Sequence, residues 1–255
     1  MARDQKAYIL VLPSLFTTGN LFCGFYSIIA AFNHEFERAA YAILIAGIFD
    51  VLDGRVARIT KSQSQFGIEY DSIADVVSFG VAPGVMAYVW GLSGFGRVGW
   101  VSAFFFLACG ALRLARFNTI SESIPKSYFL GLPTPAAANL LAGYVLVQSE
   151  LVLPVPDKIM LCLMFFLGGL MVSNIRYRTF KDFDLRHRRS FIQLVFAVAA
   201  MVFVAIRPEV GLFVVFGYYA LWGFIRESIV WLKGRLVDKK RKVRWDLKSK
   251  ENHEL

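Results

Sequence analysis

The sequence has few charged residues and little capacity for disulfide bonds. Asp, Glu, Lys and Arg make up 18% of its 255 residues, against about 25% in soluble domains, whereas hydrophobic residues reach 56%. The three cysteines lie far apart with no C-x-x-C pair, which argues against a disulfide framework and a cysteine-based metal site. This composition excludes a disordered chain and argues against a water-soluble globule.

Apolar segments long enough to cross a bilayer recur along most of the chain. A spanning helix needs roughly 20 mainly apolar residues. Eight segments approach this length: Tyr8–Phe32, Ala39–Ile59, Ile68–Trp90, Val98–Phe117, Leu132–Val147, Leu153–Ser173, Phe191–Ile206 and Val210–Leu232. We therefore predict an all-α polytopic membrane bundle of about eight transmembrane helices over residues 1–232, followed by a basic cytoplasmic tail over residues 233–255.

The positive charge is distributed unevenly between the two sides of this predicted bundle. The net charge of +9 would suit a nucleic-acid partner in a soluble protein, but here the basic residues flank apolar spans. With eight spans, both termini lie on the same side of the membrane. The terminal segments and the loops on that side carry 22 Lys and Arg residues, whereas the loops on the opposite side carry 4. Basic loops are retained in the cytoplasm, so we expect both termini there and a bilayer, not nucleic acid, as the surrounding partner.

Four aspartates lie inside two consecutive predicted spans. Asp50 and Asp53 are three residues apart and Asp71 and Asp75 four apart, so each pair shares one helix face. The short polar loop Thr60–Gln65 makes the two helices antiparallel with these faces opposed. One Asp at the centre of a membrane helix costs roughly 2.5–3.5 kcal/mol, and four would repel one another. Two or more divalent cations, Mg²⁺ or Mn²⁺, would remove both costs.

Small residues and one arginine distinguish between the possible uses of such a cluster. Acids could also line a wet vestibule or an ion or proton pathway. Gly54, Ala57 and Gly67 leave room between the two helices, and Arg58 supplies a positive charge for a phosphate on the same face. A space between the helices, bound cations and an arginine for a phosphate together indicate a nucleotide diphosphate substrate. An ion pathway would need no such space, which we call the slot.

These residues form a signature of eight fixed positions: Asp50, Asp53, Gly54, Ala57, Arg58, Gly67, Asp71 and Asp75. At this spacing the sequence resembles the CDP-alcohol phosphotransferase family. The segments Leu12–Phe25, Ser72–Pro83, Arg113–Asn118 and Gly131–Ala137 resemble its integral-membrane phosphatidylserine synthases. The resemblance covers roughly residues 8–180, and the last two spans match only in hydropathy.

The resemblance implies a fold, a reaction and a role for each signature residue. It implies the family's helical fold and transfer of a phosphatidyl group from CDP-diacylglycerol, or CDP-archaeol, to L-serine with release of CMP. Two divalent ions would be held by Asp50, Asp53 and Asp71, with Asp75 completing the second site and acting as general base. Nucleotide or diphosphate contacts are implied or expected for Gly54, Ala57, Arg58, Gly67 and Asn20. A homodimer is also implied.

The acceptor side of the site is less constrained by the sequence. Arg113 and Arg116 lie one turn apart near the end of the fourth span, and either guanidinium could bind the serine carboxylate. Asn118 could add a hydrogen bond. Ordinary anchoring of basic residues at the membrane surface is the alternative. A sister enzyme with glycerol phosphate or inositol phosphate as acceptor also stays open, because six basic residues lie between Arg176 and Arg189.

Overall fold

The chain forms eight α-helices and one short β-ribbon in the parts that the structure describes. The computed structural model covers residues 2–60, 64–120, 128–151, 157–178, 195, 198, 206–207, 209–227 and 229. The helices are α1 (Ala2–Phe32), α2 (Phe36–Ile59), α3 (Gln65–Val76), α4 (Ala82–Ala87), α5 (Arg97–Ile120), α6 (Thr134–Leu151), α7 (Asp157–Val172) and α8 (Glu209–Glu227). The first five predicted spans, the described part of the sixth and most of the eighth are therefore helical, apart from a few end residues. The seventh, except for positions 195, 198 and 206, and the basic tail lie outside the described residues.

The first two helices pack tightly because small residues line their contact. They are joined by a three-residue turn in which His34 adopts a positive φ of 60°. On either side of this turn, the alanines at positions 30, 31, 39 and 40 are almost completely buried. Small side chains let helix backbones approach closely within a membrane. The pair α1–α2 forms one side of the bundle, while α2 also packs on α6 and α5 packs on α7.

The membrane-length helix Gln65–Phe95 is not a regular α-helix. It contains α3 and α4 together with two π-helical turns, Val77–Val81 and Tyr88–Leu92. Pro83, near the start of α4, has no N–H group, and its ring would collide with the carbonyl of a preceding regular turn. A π-helical turn before the proline widens the helix at that point. The first π turn begins two residues after Asp75, so it changes the helix register beside the acidic cluster.

Four described helices are long and apolar enough to cross a membrane: Ser14–Phe32, Gln65–Phe95, Arg97–Thr119 and Glu209–Glu227. Their outer faces carry large exposed apolar side chains. Phe22 on α1, Phe104 on α5 and Trp222 on α8 are all more than half exposed. Contiguous apolar surface of this kind suits lipid and not water. The described structure therefore supports a membrane helical fold.

A two-stranded antiparallel ribbon, which the sequence did not predict, joins the ends of the helices. Strand β1 (Tyr128–Leu130) pairs with β2 (Arg176–Arg178). The chain then turns at Gly131, whose φ of 75° and close approach to the carbonyl of Met171 leave no room for a side chain. Helix α6 begins three residues later. The ribbon thus places the N-terminus of α6 beside the ends of α5 and α7.

Candidate active site

Three carboxylates from two helices meet at one point in the bundle. Asp50 and Asp53 on α2 and Asp71 on α3 each offer an oxygen atom, and these atoms lie within 4.8 Å of one another. Asp71 Oδ1 is buried and has no hydrogen-bond partner in the part of the chain that the structure describes. Three hard oxygen donors with a free buried lone pair fit a divalent cation such as Mg²⁺ or Mn²⁺. The predicted opposition of the two helix faces is confirmed for these three residues.

The fourth carboxylate, Asp75, lies apart from this group of three. It is one turn beyond Asp71 and is almost fully buried. Its Oδ1 accepts a hydrogen bond of 3.1 Å from the Nδ2 of Asn20 on α1. Asn20 was predicted either to contact the nucleotide or to form a hydrogen bond between helices, and its amide forms such a bond with Asp75.

Helix α1 also contacts the group of three through a residue that the sequence reasoning missed. The hydroxyl of Thr17 donates a hydrogen bond of 3.0 Å to Asp53 Oδ2, and both residues are buried. Thr17 and Asn20 are three residues apart and therefore share one face of α1. That spacing was a usable signal, because a Thr and an Asn on one face of an apolar helix need polar partners.

The small residues next to the acids have different surroundings. A Cβ added at Gly54 would approach only Arg58 Nη2, at 4.0 Å, so the space beside Gly54 is open. Arg58 Nε donates to the Gly54 carbonyl at 2.7 Å, which holds the guanidinium at the edge of that space. Ala57 is half-buried on the same helix. Gly67 serves the first turn of α3, where its N–H bonds to the Ser64 hydroxyl at 3.0 Å.

The structure separates the three residues that were expected to bind the acceptor. Arg113 is buried and interacts electrostatically with Asp75 and Asp50. Arg116, although one turn away, is exposed and donates from Nη2 to Asn174 Oδ1 at 2.7 Å, beyond the end of α7. Asn118 donates to the hydroxyl of Ser72 at 2.9 Å, which ties α5 to α3. Of the three, Arg113 therefore has the clearest link to the carboxylates.

The last described helix reaches this side of the site, which sequence reasoning also missed. Tyr219 on α8 interacts electrostatically with the Arg113 guanidinium. Its ring lies 5.4 Å from that of Tyr177 on β2, measured between centroids. Burial raises the pKa of the Tyr177 hydroxyl, which stays protonated and donates to the Ala220 carbonyl at 3.2 Å. No periodicity within one helix could pair positions so distant in sequence.

Several known proteins are similar to this chain in sequence over half of its length or more. Residues 10–173 match the family model described as CDP-alcohol phosphatidyltransferase. A Helicobacter pylori protein named CDP-diacylglycerol–serine O-phosphatidyltransferase is 40% identical over 227 residues, which is 88% of this chain and 94% of that protein. Proteins of the same name from Methanocaldococcus jannaschii and Saccharomyces cerevisiae are 39% and 41% identical, over 72% and 52% of this chain and 81% and 53% of their own lengths.

Proposed function

The chain belongs to the CDP-alcohol phosphatidyltransferase family, and from that premise we propose that it transfers a phosphatidyl group from CDP-diacylglycerol to L-serine. The products are phosphatidylserine and CMP. The observation that carries the proposal is the cluster of Asp50, Asp53 and Asp71, with Asp75 buried one turn beyond it. The relatives' names favour serine as acceptor.

The acidic cluster is proposed to bind two divalent ions, Mg²⁺ or Mn²⁺. Asp50, Asp53 and Asp71 would be the main ligands, and Asp75 would complete the second site. Bound cations would neutralise charge developing on the phosphates and stabilise the departing CMP. The free Oδ1 of Asp71 and the closeness of the three carboxylates support this assignment.

The open space beside Gly54 is proposed to receive the nucleotide end of the donor. Ala57 and Gly67 would line the same slot, and Arg58 would contact the diphosphate with the side of its guanidinium not bonded to Gly54. The lipid tails would remain in the bilayer. CDP-archaeol stays an alternative donor, because ester-linked and ether-linked tails are both apolar.

Asp75 is proposed as the general base. A bond forms between the serine hydroxyl oxygen and the phosphorus that carries diacylglycerol, while the bond from that phosphorus to the bridging oxygen of CMP breaks. The hydroxyl proton passes to the Asp75 carboxylate as the new bond forms. Arg113, which is buried and interacts electrostatically with Asp75, would hold the serine carboxylate. Asn118 and Arg116 are the further candidates for acceptor contacts.

We propose that the whole chain crosses the membrane eight times, with both termini and the site on the cytoplasmic side. The distribution of 22 basic residues against 4 supports that orientation. The tail over residues 233–255 would lie against anionic lipid, and a homodimer is proposed from the family resemblance.

The acceptor can be tested with purified protein in lipid vesicles. CDP-diacylglycerol and Mn²⁺ are supplied with L-serine, glycerol 3-phosphate or inositol phosphate in parallel, and CMP release is measured. The proposal expects CMP with serine and little with the phosphorylated acceptors. CMP formed with a phosphorylated acceptor alone would identify a sister enzyme, and no CMP with any acceptor would favour ion or proton transport.

A further inference from the structure

The contact between Asn20 and Asp75 joins the first helix to the end of the acidic face. Asn20 is completely buried, and its Nδ2 lies 3.1 Å from Asp75 Oδ1. We propose that Asn20 is a positioning residue that fixes the Asp75 carboxylate for proton transfer from the acceptor hydroxyl. This inference rests on the proposed function, because it takes Asp75 as the base.

The position of Asn20 is set by its main chain independently of its amide. The Ser78 hydroxyl, in the π-helical turn after Asp75, donates to the main-chain carbonyl of Asn20 at 2.9 Å. One turn along α1, Gly24 lies so close to Ser78 that an added Cβ would overlap the Ser78 backbone. These contacts fix α1 against the helix Gln65–Phe95. The hydrogen bond from the Asn20 side chain to Asp75 is therefore not needed to hold the two helices together.

The hydrogen-bond inventory of Asn20 favours a positioning role over simple packing. Its Oδ1 is buried and has no partner among the described residues. Leaving such an atom unpaired costs free energy that an apolar side chain of the same size would avoid. The amide also supplies a hydrogen-bond donor to one oxygen of the Asp75 carboxylate, which an apolar side chain could not do. With Oδ1 of Asp75 held in this way, the carboxylate keeps one orientation, in which it can both complete the second metal site and receive the proton of the acceptor.

Thr17 provides the matched comparison, because it makes the same kind of contact one turn earlier on α1. Its hydroxyl bonds to Asp53, which belongs to the group of three carboxylates. If each contact serves the carboxylate it touches, loss of the Thr17 hydroxyl should weaken metal binding. Loss of the Asn20 amide should slow the chemical step at any metal concentration.

The experiment compares Asn20→Leu with Thr17→Val, with Ser78→Ala as the control for the helix crossing. For Asn20→Leu we expect kcat to fall about 10- to 100-fold, less than the full contribution of a general base. The KM for CDP-diacylglycerol and the half-saturating Mn²⁺ concentration should stay within about twofold. Thr17→Val should raise the half-saturating Mn²⁺ concentration and recover its rate in excess metal. Ser78→Ala should retain a near-normal kcat, because the close packing of Gly24 against the backbone of residue 78 remains when the hydroxyl is removed.

A double-mutant cycle with Asp75→Asn separates positioning from a general loss of structure. Once Asp75 has lost its function, removing Asn20 should cost no further rate, so the double variant should be as slow as Asp75→Asn alone. Multiplicative losses, or recovery of Asn20→Leu by excess Mn²⁺, would overturn the proposal. If Asn20→Leu does not fold, Asn20→Ser replaces it: its hydroxyl can bond to its own helix but is too short to reach Asp75, and the same losses are expected.

The wild-type protein distinguishes this inference from the proposed function. If wild type releases CMP with serine and Asn20→Leu has a normal kcat, the positioning role is wrong and the function stands. If wild type transfers nothing to serine, the proposed function fails whatever Asn20 does.

Discussion

Arg113 and Thr134 are joined by a hydrogen bond of 3.1 Å from the guanidinium Nη1 to the hydroxyl oxygen. The bond ties α5 to the first residue of α6, and Nε of the same guanidinium is buried without a partner in the described chain. A buried arginine that interacts electrostatically with two carboxylates and keeps a free donor is suited to bind an anionic group of a substrate.

Replacing Arg113 with Gln should therefore raise the KM for serine. A hydrogen bond to a charged group contributes about 1.5–3 kcal/mol, which corresponds to roughly 10- to 100-fold. The KM for CDP-diacylglycerol should change little. Arg116→Gln is the matched control, because Arg116 is exposed and bonds to Asn174, so its serine KM should stay near the wild-type value. Steady-state CMP release over a range of serine concentrations measures both. Equal effects of the two substitutions would contradict the assignment.

Asp50→Asn and Asp71→Asn should each abolish turnover while the protein stays folded. Each replaces a charged oxygen ligand with a weaker neutral one in the group of three carboxylates. Removal of divalent ions with a chelator should stop the wild-type reaction, and added Mg²⁺ or Mn²⁺ should restore it. CMP release and a thermal unfolding curve are measured on the same samples. Near-normal turnover in either variant would contradict the assignment of that aspartate as a metal ligand.

Asp75→Asn should stay at least about 100-fold slow at saturating Mn²⁺, because general base catalysis contributes about 10²–10⁴-fold. Binding of the CDP-lipid should persist, since the other three aspartates remain. Single-turnover CMP release across a metal titration measures the rate, and lipid binding is measured separately. Recovery to nearly the wild-type rate at high metal would make Asp75 a metal ligand only and leave the base unidentified.

Gly223→Ala should destabilise the protein, because a Cβ at this position on α8 would overlap the ring of Tyr177. That ring is buried on β2, and overpacking of this kind typically costs about 1–3 kcal/mol. Gly217→Ala on the same helix is the control, since its Cβ would meet Leu140 Cδ1 at an ordinary 3.6 Å. We expect a lower midpoint of thermal unfolding for the first variant only. Equal midpoints would mean that α8 does not pack on the ribbon as described.

The sequence predicted the acidic site well because helix periodicity alone brings the aspartates to one face. Asp50, Asp53 and Asp71 meet as their spacing and the short connecting loop require. The same periodicity placed Arg113 and Arg116 one turn apart, but it could not tell which of the two is buried near the carboxylates. Which way a long side chain turns depends on its neighbours, and Arg116 finds Asn174 beyond the end of α7.

Contacts between distant segments could not be predicted in this way. Thr17 with Asp53, and Tyr177 with Tyr219, are set by how whole helices cross, and no local pattern encodes that. The ribbon escaped prediction because each strand has only three residues, too few to show the alternation typical of strands.

The most direct test of the account follows the serine itself. Purified protein in lipid vesicles receives CDP-diacylglycerol, Mn²⁺ and labelled L-serine, and both CMP and label in the lipid fraction are counted over time. We expect one labelled lipid per CMP in the wild type and neither product in Asp71→Asn. CMP released while the label stays in water, or transfer that continues in Asp71→Asn, would contradict it.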